Sequence, residues 1–282
     1  MTARAGSFTD PALIREALYA TPDRLTMRSR ALLRAKTCGQ DAGRVIGGLA
    51  ARQLPPPGRG AVAADLGCGR GGTTRALAAS LPAAAITAID LSPALLAAAR
   101  ERLADVSQIM WLQADFHRLP CTSGSLDLAV AAFCLYHSAA PAAVIAEISR
   151  CLRPGAAAIL VTKSVSSYRE LDRIVAASGL DAQAESRPSL YQAAHSGNLP
   201  HLARTRLQVT TVIHETHEFT FASLAHAAEY LATSPKYDLP AALAADPGRL
   251  AAALRRRLPD RPVTVTSTVT YVVATRPRNR TS

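Results

Sequence analysis

Short apolar runs alternate with stretches of helical spacing through the middle of the chain. Residues 61–66, 85–90, 109–114, 126–132 and 157–162 are apolar runs bounded by turn-forming residues. Between them, residues 73–80, 93–104 and 141–152 read as helices. Apolar strands alternating with helices predict a parallel sheet buried on both faces. Further on, residues 207–219 alternate as a strand and residues 263–274 are rich in Val and Thr, which suits a last strand. Helices are expected between them at 222–234 and 239–257, the latter broken at Asp246-Pro247-Gly248. Before the first strand, three helical stretches are expected at 11–19, 25–35 and 42–53, with Asp10 as an N-cap and Pro55-Pro56-Pro57 as a stiff stop. The fold expected is therefore α/β: a Rossmann-like, seven-stranded, mostly parallel sheet with only the last strand antiparallel and helices on both faces. An N-terminal helical cap would span 1–57 and the sheet domain 58–275. A helical insertion at 163–206 would follow the fifth strand, including a short helix at 189–194, and a disordered tail would run from 276 to 282.

Where the first apolar run ends, Asp65-Leu66-Gly67-Cys68-Gly69-Arg70-Gly71 places a carboxylate at the strand end and glycines at alternating positions. Glycine removes Cβ where the backbone turns sharply or a ligand comes close. The spacing differs from the G-x-G-x-x-G of pyrophosphate sites, and a carboxylate there would repel phosphate and suit an ammonium group. The second run ends in Asp90-Leu91-Ser92-Pro93, 19 residues past Gly71. An acidic residue at that distance, at the end of the next strand, accepts the hydroxyls of a ribose. The third run leads into Asp115-Phe116, a carboxylate able to accept from an exocyclic amine beside a ring able to face an adenine.

These residues together resemble the class I S-adenosylmethionine-dependent methyltransferases. The later Leu119-Pro120, Ser125-Leu126-Asp127-Leu128, Leu135-Tyr136-His137 and Leu152-Arg153-Pro154-Gly155 look like their ubiquinone/menaquinone-biosynthesis branch. The resemblance is strong over about residues 60–165 and weak beyond. It implies that Asp65, Gly67, Cys68 and Gly69 hold the methionine part of S-adenosylmethionine. It assigns Asp90 and Leu91 to the ribose and Asp115 and Phe116 to the adenine, with Ala132 beside them at the end of the fourth strand. His137 would then lie near the sulfonium, as a general base or a substrate orienter. In this family type N-terminal helices fold over the cofactor and the segment after strand five carries substrate-binding elements. Tyr19, Tyr136, Tyr168, Tyr191 and His195 are accordingly the expected substrate contacts, and 163–206 the expected lid.

Composition narrows the class without changing the fold. The 282 residues carry a formal net charge of +11. The basic residues are mostly dispersed and no aromatics interleave with Arg255-Arg256-Arg257, so nucleic acid is not the expected partner. Five cysteines without a C-x-x-C pattern suggest reduced thiols and a cytoplasmic setting. No apolar run approaches the ~20 residues of a membrane span. His214 and His217 lie three apart in a predicted strand and so face opposite sides, which disfavours a metal site. The expected activity is methyl transfer to an N, O or C atom of a small molecule, in secondary metabolism or cofactor biosynthesis, by a monomer or homodimer. The alternatives are RNA modification and non-catalytic S-adenosylmethionine binding.

Overall fold

A computed structural model of the chain describes residues 8–54 and 60–278. The expected proline stop at 55–57 and the last four residues lie outside the described part. Eight described strands form one sheet: β1 (Lys36–Cys38), β2 (Val62–Leu66), β3 (Ala85–Asp90), β4 (Ile109–Gln113), β5 (Leu126–Ala132), β6 (Leu152–Lys163), β7 (Gln208–Phe221) and β8 (Val263–Thr275). Their order is β1-β7-β8-β6-β5-β2-β3-β4. Strands β2 to β6 pair in parallel, whereas β8 runs antiparallel to both of its neighbours.

The sheet therefore has eight strands rather than the seven expected, and two antiparallel members rather than one. The extra strand is Lys36-Thr37-Cys38, which pairs antiparallel with β7 at Phe219 and Glu218. It covers part of an edge that would otherwise present unpaired backbone groups. Three residues are too few to show an alternation, so this strand has no sequence signature. Two further expectations are corrected. Residues 189–194 form turns rather than a helix. The segment 276–278 is ordered, since Arg276 exchanges backbone hydrogen bonds with Gly155 and Ala156 and its guanidinium reaches Leu152 O.

Helices clothe both faces, as buried parallel strands require. Ala63, Ala64, Ala88, Ala129, Ala131 and Ala158 are fully buried, and their small side chains let helices pack close to the sheet. The helix Pro141–Cys151 begins with proline at its first position, and its Val144, Ile145 and Ile148 are fully buried. Each such side chain contributes roughly 1.5–3 kcal/mol. The N-terminal helix Asp23–Ala35 buries Ala31 and Ala35. Its Arg34 pairs through two nitrogens with Glu229 at 2.9 and 3.2 Å. Its Arg24 and Arg28 both donate to Thr233 O, so this helix is fastened to the C-terminal part of the chain. No helix among the described residues is long and apolar enough to cross a membrane.

The strand order reverses between β2 and β5, and at such a switch point a crevice opens beyond the carboxyl ends of the strands. The glycine turn stands there. Gly67 has φ +65°, and a Cβ on it would lie 2.5 Å from the Cys134 Cβ. Gly67→Ala is expected to cost about 2–4 kcal/mol, from left-handed strain plus overpacking. Gly124 has φ +67° with open space around it, so Gly124→Ala should cost only about 1–2 kcal/mol. Urea unfolding of the two variants measures the difference, and equal losses would refute the close packing at Gly67.

Candidate active site

The crevice is roofed into a cavity of about 560 Å³, within the size range of small-molecule sites. The sheet supplies Gly67, Cys68 and Gly69 after β2, Asp90 and Leu91 after β3, Asp115 and Phe116 after β4, and Ala132 at the end of β5. The N-terminal segment supplies Tyr19, Leu25, Arg28 and Leu32. Eight of the nine expected cofactor residues thus converge on one space.

Asp90 organises this end. Its Oδ2 accepts from Gly69 N at 2.8 Å and its Oδ1 from Ser92 N at 2.9 Å. Burial raises its pKa and these backbone donors oppose the rise. A carboxylate held in this way can also accept from vicinal hydroxyls. Ser92 caps the helix Pro93–Arg102 by accepting from Leu95 N, and its hydroxyl donates to Tyr19 O at 2.8 Å. Asp115 accepts from both the backbone N and Nδ1 of His117, whose ring stacks on Phe116 with centroids 4.8 Å apart.

The ninth residue, Asp65, is placed differently. It is buried behind the glycine turn, away from the cavity lining, where its Oδ2 accepts from the Thr74 hydroxyl at 2.6 Å. Its Oδ1 is buried without a hydrogen-bond partner among the described residues. Burial pushes its pKa up to about 7 against the Thr74 hydrogen bond.

At the far end of the cavity His137 is bonded at both ring nitrogens. Nδ1 lies 2.9 Å from Phe8 O and Nε2 lies 3.0 Å from the Tyr19 hydroxyl. A carbonyl only accepts, so Nδ1 carries the proton in the neutral ring and Tyr19 donates to Nε2. Burial, opposed by the Phe8 bond and aided by the Arg28 charge, lowers the pKa of His137 to about 4. His137 is thus a neutral ring that fastens the N-terminal segment across the site. Tyr136 and Tyr191 line the cavity and meet edge to face. Tyr168 is not on the wall; its hydroxyl accepts from Lys163 Nζ at 2.6 Å. His195 lies elsewhere too, with its Nδ1 accepting from Gly197 N in a local turn.

Wall residues not singled out from the sequence include Arg28, Lys163 and Tyr230. Arg28 carried a signal, since it stands three after Leu25 and four before Leu32 on the apolar face of its helix. Lys163 ends β6 and Tyr230 sits in the helix Leu224–Leu231, and neither position is distinctive in sequence.

Residues 64–160 match a family described as methyltransferase domain. Among curated proteins, malonyl-[acyl-carrier protein] O-methyltransferase of Hahella chejuensis is 37% identical over 109 residues, covering 39% of this chain and 39% of that protein. Trans-aconitate 2-methyltransferase of Klebsiella pneumoniae is 52% identical over 54 residues, covering 19% of this chain and 20% of that protein. The chain spans between 28 and 42% of the length of the first such relatives, so the likeness is confined to part of each. Among solved structures, Haemonchus contortus phosphoethanolamine N-methyltransferase 2 in complex with S-adenosyl-L-methionine is 13% identical, with a TM-score of 0.57 over 95% of this chain and 60% of that one. The [4+2]-cyclase SpnF is 17% identical, with a TM-score of 0.56 over 91% of this chain and 95% of that one. These two share the fold and differ in named activity.

Asp65 gives the site a pH signature in stability. An ordinary Asp titrates near 3.8, whereas in the fold Asp65 titrates near 7. The folded chain then holds the proton more tightly, so this contribution is present below pH ~4 and is lost as pH rises through about 7. Asp65→Asn keeps an acceptor for Thr74 and removes the titration. The stability difference between variant and wild type is expected to grow in the variant's favour by roughly 2–4 kcal/mol between pH 4 and 8. Urea denaturation across that range measures it; a pH-independent difference would show that Asp65 does not titrate there.

Proposed function

We propose that this chain, whose residues 64–160 are a methyltransferase domain of the class I, S-adenosylmethionine-dependent kind, transfers the cofactor's methyl group to a small molecule enclosed between the sheet and the N-terminal helices. The observation that carries this reading is a single cavity with two chemically distinct ends. Glycine amides, Asp90, Asp115 and Phe116 form one end, and Tyr136, Tyr191, Arg28 and Lys163 form the other. The first set fits S-adenosylmethionine: acceptors for ribose hydroxyls at Asp90, an acceptor and a ring for adenine at Asp115 and Phe116, and room at the glycine turn for the methionine part. Bound there, the cofactor supplies a methyl group on positively charged sulfur.

The chain's own contribution is placement and exclusion of water. Leu25 and Leu32 cover the cavity from the helix Asp23–Ala35, and Tyr19 is held over it by Ser92 and His137. Fixing two reactants in line is worth several kcal/mol, up to roughly 7–11 in favourable intramolecular systems. His137 acts here as a positioning residue that sets Tyr19. We read 1–57 as the cap and 163–206 as the substrate-side element, since Tyr191 and Lys163 reach the cavity from it. The aromatic lining favours an organic acceptor of secondary metabolism. The matched segment of the relatives is the cofactor half, so their acceptors are not carried over.

Calorimetric titration with S-adenosylhomocysteine tests the reading. Wild type is expected to bind in the micromolar range. Asp90→Asn keeps one acceptor and loses the charge, and is expected to weaken binding by about 10–100-fold. Folded wild-type protein that does not bind S-adenosylhomocysteine would overturn the assignment.

A further inference from the structure

Two cations, Arg28 and Lys163, line the acceptor end of the cavity, and among the described residues neither forms an ion pair. Lys163 Nζ donates to the Tyr168 hydroxyl and sits 5.5, 4.8 and 5.9 Å from the ring centroids of Phe133, Tyr168 and Tyr191. Arg28 donates to Thr233 through Nε and Nη2 and lies 5.7 Å from the Tyr230 ring. No ion pair within 4.0 Å joins either cation to a carboxylate among the described residues. Residues 1–7, 55–59 and 279–282 contain no Asp or Glu to provide one. Burial and the Arg28 charge both act against the ammonium of Lys163. Two like charges facing an apolar, aromatic space carry a desolvation cost that an incoming anion offsets. Asp41, Asp90 and Asp115 also line the cavity and none lies within 4.0 Å of either cation; Asp90 and Asp115 stand where the cofactor is read to lie.

His137 is packed against Tyr19 and Tyr136, and its unprotonated nitrogen is taken by the Tyr19 hydroxyl, so it is not free to receive a proton. An acceptor already ionised at neutral pH needs no base.

We infer that the acceptor substrate is a carboxylic acid, seated with its carboxylate between Arg28 and Lys163 and methylated on a carboxylate oxygen. The inference rests on the methyl-transfer reading above and names its substrate class. One carboxylate oxygen forms a bond to the methyl carbon as the carbon–sulfur bond breaks. The electron pair of that bond passes to sulfur, leaving a neutral thioether, and the acid becomes a neutral methyl ester. No proton moves and no further reactant is required. Esterification also removes the charge that Arg28 and Lys163 recognise, which favours release of the product.

The test uses the full chain saturated with S-adenosylhomocysteine. Calorimetry compares a panel of aromatic and aliphatic carboxylic acids, each beside its primary amide. Acids that bind about tenfold or more tighter than their amides are expected. Lys163→Met and Arg28→Gln should each remove that preference while leaving the affinity for S-adenosylhomocysteine within about twofold; Arg28 also fastens its helix, so Lys163→Met decides if Arg28→Gln fails to fold. Lys163→Arg should retain the preference. With isotope-labelled S-adenosylmethionine, the best-binding acid should take up label that mild alkali releases as methanol, the mark of an ester. Acids binding no better than amides, a preference that survives Lys163→Met, or alkali-stable label would overturn the carboxylate assignment while leaving methyl transfer standing. Failure of the wild type to bind S-adenosylhomocysteine would overturn both.

Discussion

The carboxylate of Asp90 is the constraint on which the rest of the site depends. It accepts from Gly69 in the turn after β2 and from Ser92 at the start of the next helix, so one side chain ties two strand ends together. The connection continues outward. The Ser92 hydroxyl holds the Tyr19 carbonyl, the Tyr19 hydroxyl holds His137 Nε2, and His137 Nδ1 holds the Phe8 carbonyl. A residue at the carboxyl end of β3 thereby fixes an N-terminal segment that shares no strand with it. Hydrogen bonds in such a chain polarise one another, and inside a protein each is stronger than it would be in solvent.

Charge is distributed along the cavity in a way the dispersed net charge of +11 does not suggest. Most arginines are on the surface, where their pairs with carboxylates contribute little. Arg28 and Lys163 instead line the cavity among aromatic rings, with no ion pair among the described residues. The opposite end carries Asp90 and Asp115. A cavity lined by charges of both signs can orient polar ligands, and electrostatic preorganisation of this kind supplies a large share of many enzymes' rate enhancement.

The glycine-turn side of the cavity was legible because its pattern is local. Gly67, Gly69, Asp90 and Phe116 each occupy a fixed distance from the end of a strand that its own apolar run announces. Asp65 shows the limit of that reading. Its place at a strand end was legible, but the direction of its side chain was not: alternation turned it toward Thr74 behind the turn. The rest of the cavity wall was poorly legible. Tyr19, Tyr136 and Tyr191 reach the cavity as expected, whereas Tyr168 and His195 do not. Arg28, Lys163 and Tyr230 come from three distant elements and meet only because the helix Asp23–Ala35 is fastened to Thr233 and Glu229.

By itself the sequence determined the alternating strands and helices, the parallel centre of the sheet and the glycine turn with its carboxylates, because periodicity and strand-end position are properties of neighbouring residues. The tertiary structure alone decided the eighth strand, the closure of the cavity by Tyr19 and His137, and the meeting of Arg28 and Lys163 at one cavity. These depend on contacts between residues more than a hundred positions apart, such as Tyr19 with His137 or Arg28 with Thr233, and no local pattern records which distant side chain will satisfy a given hydrogen bond or leave a given charge alone.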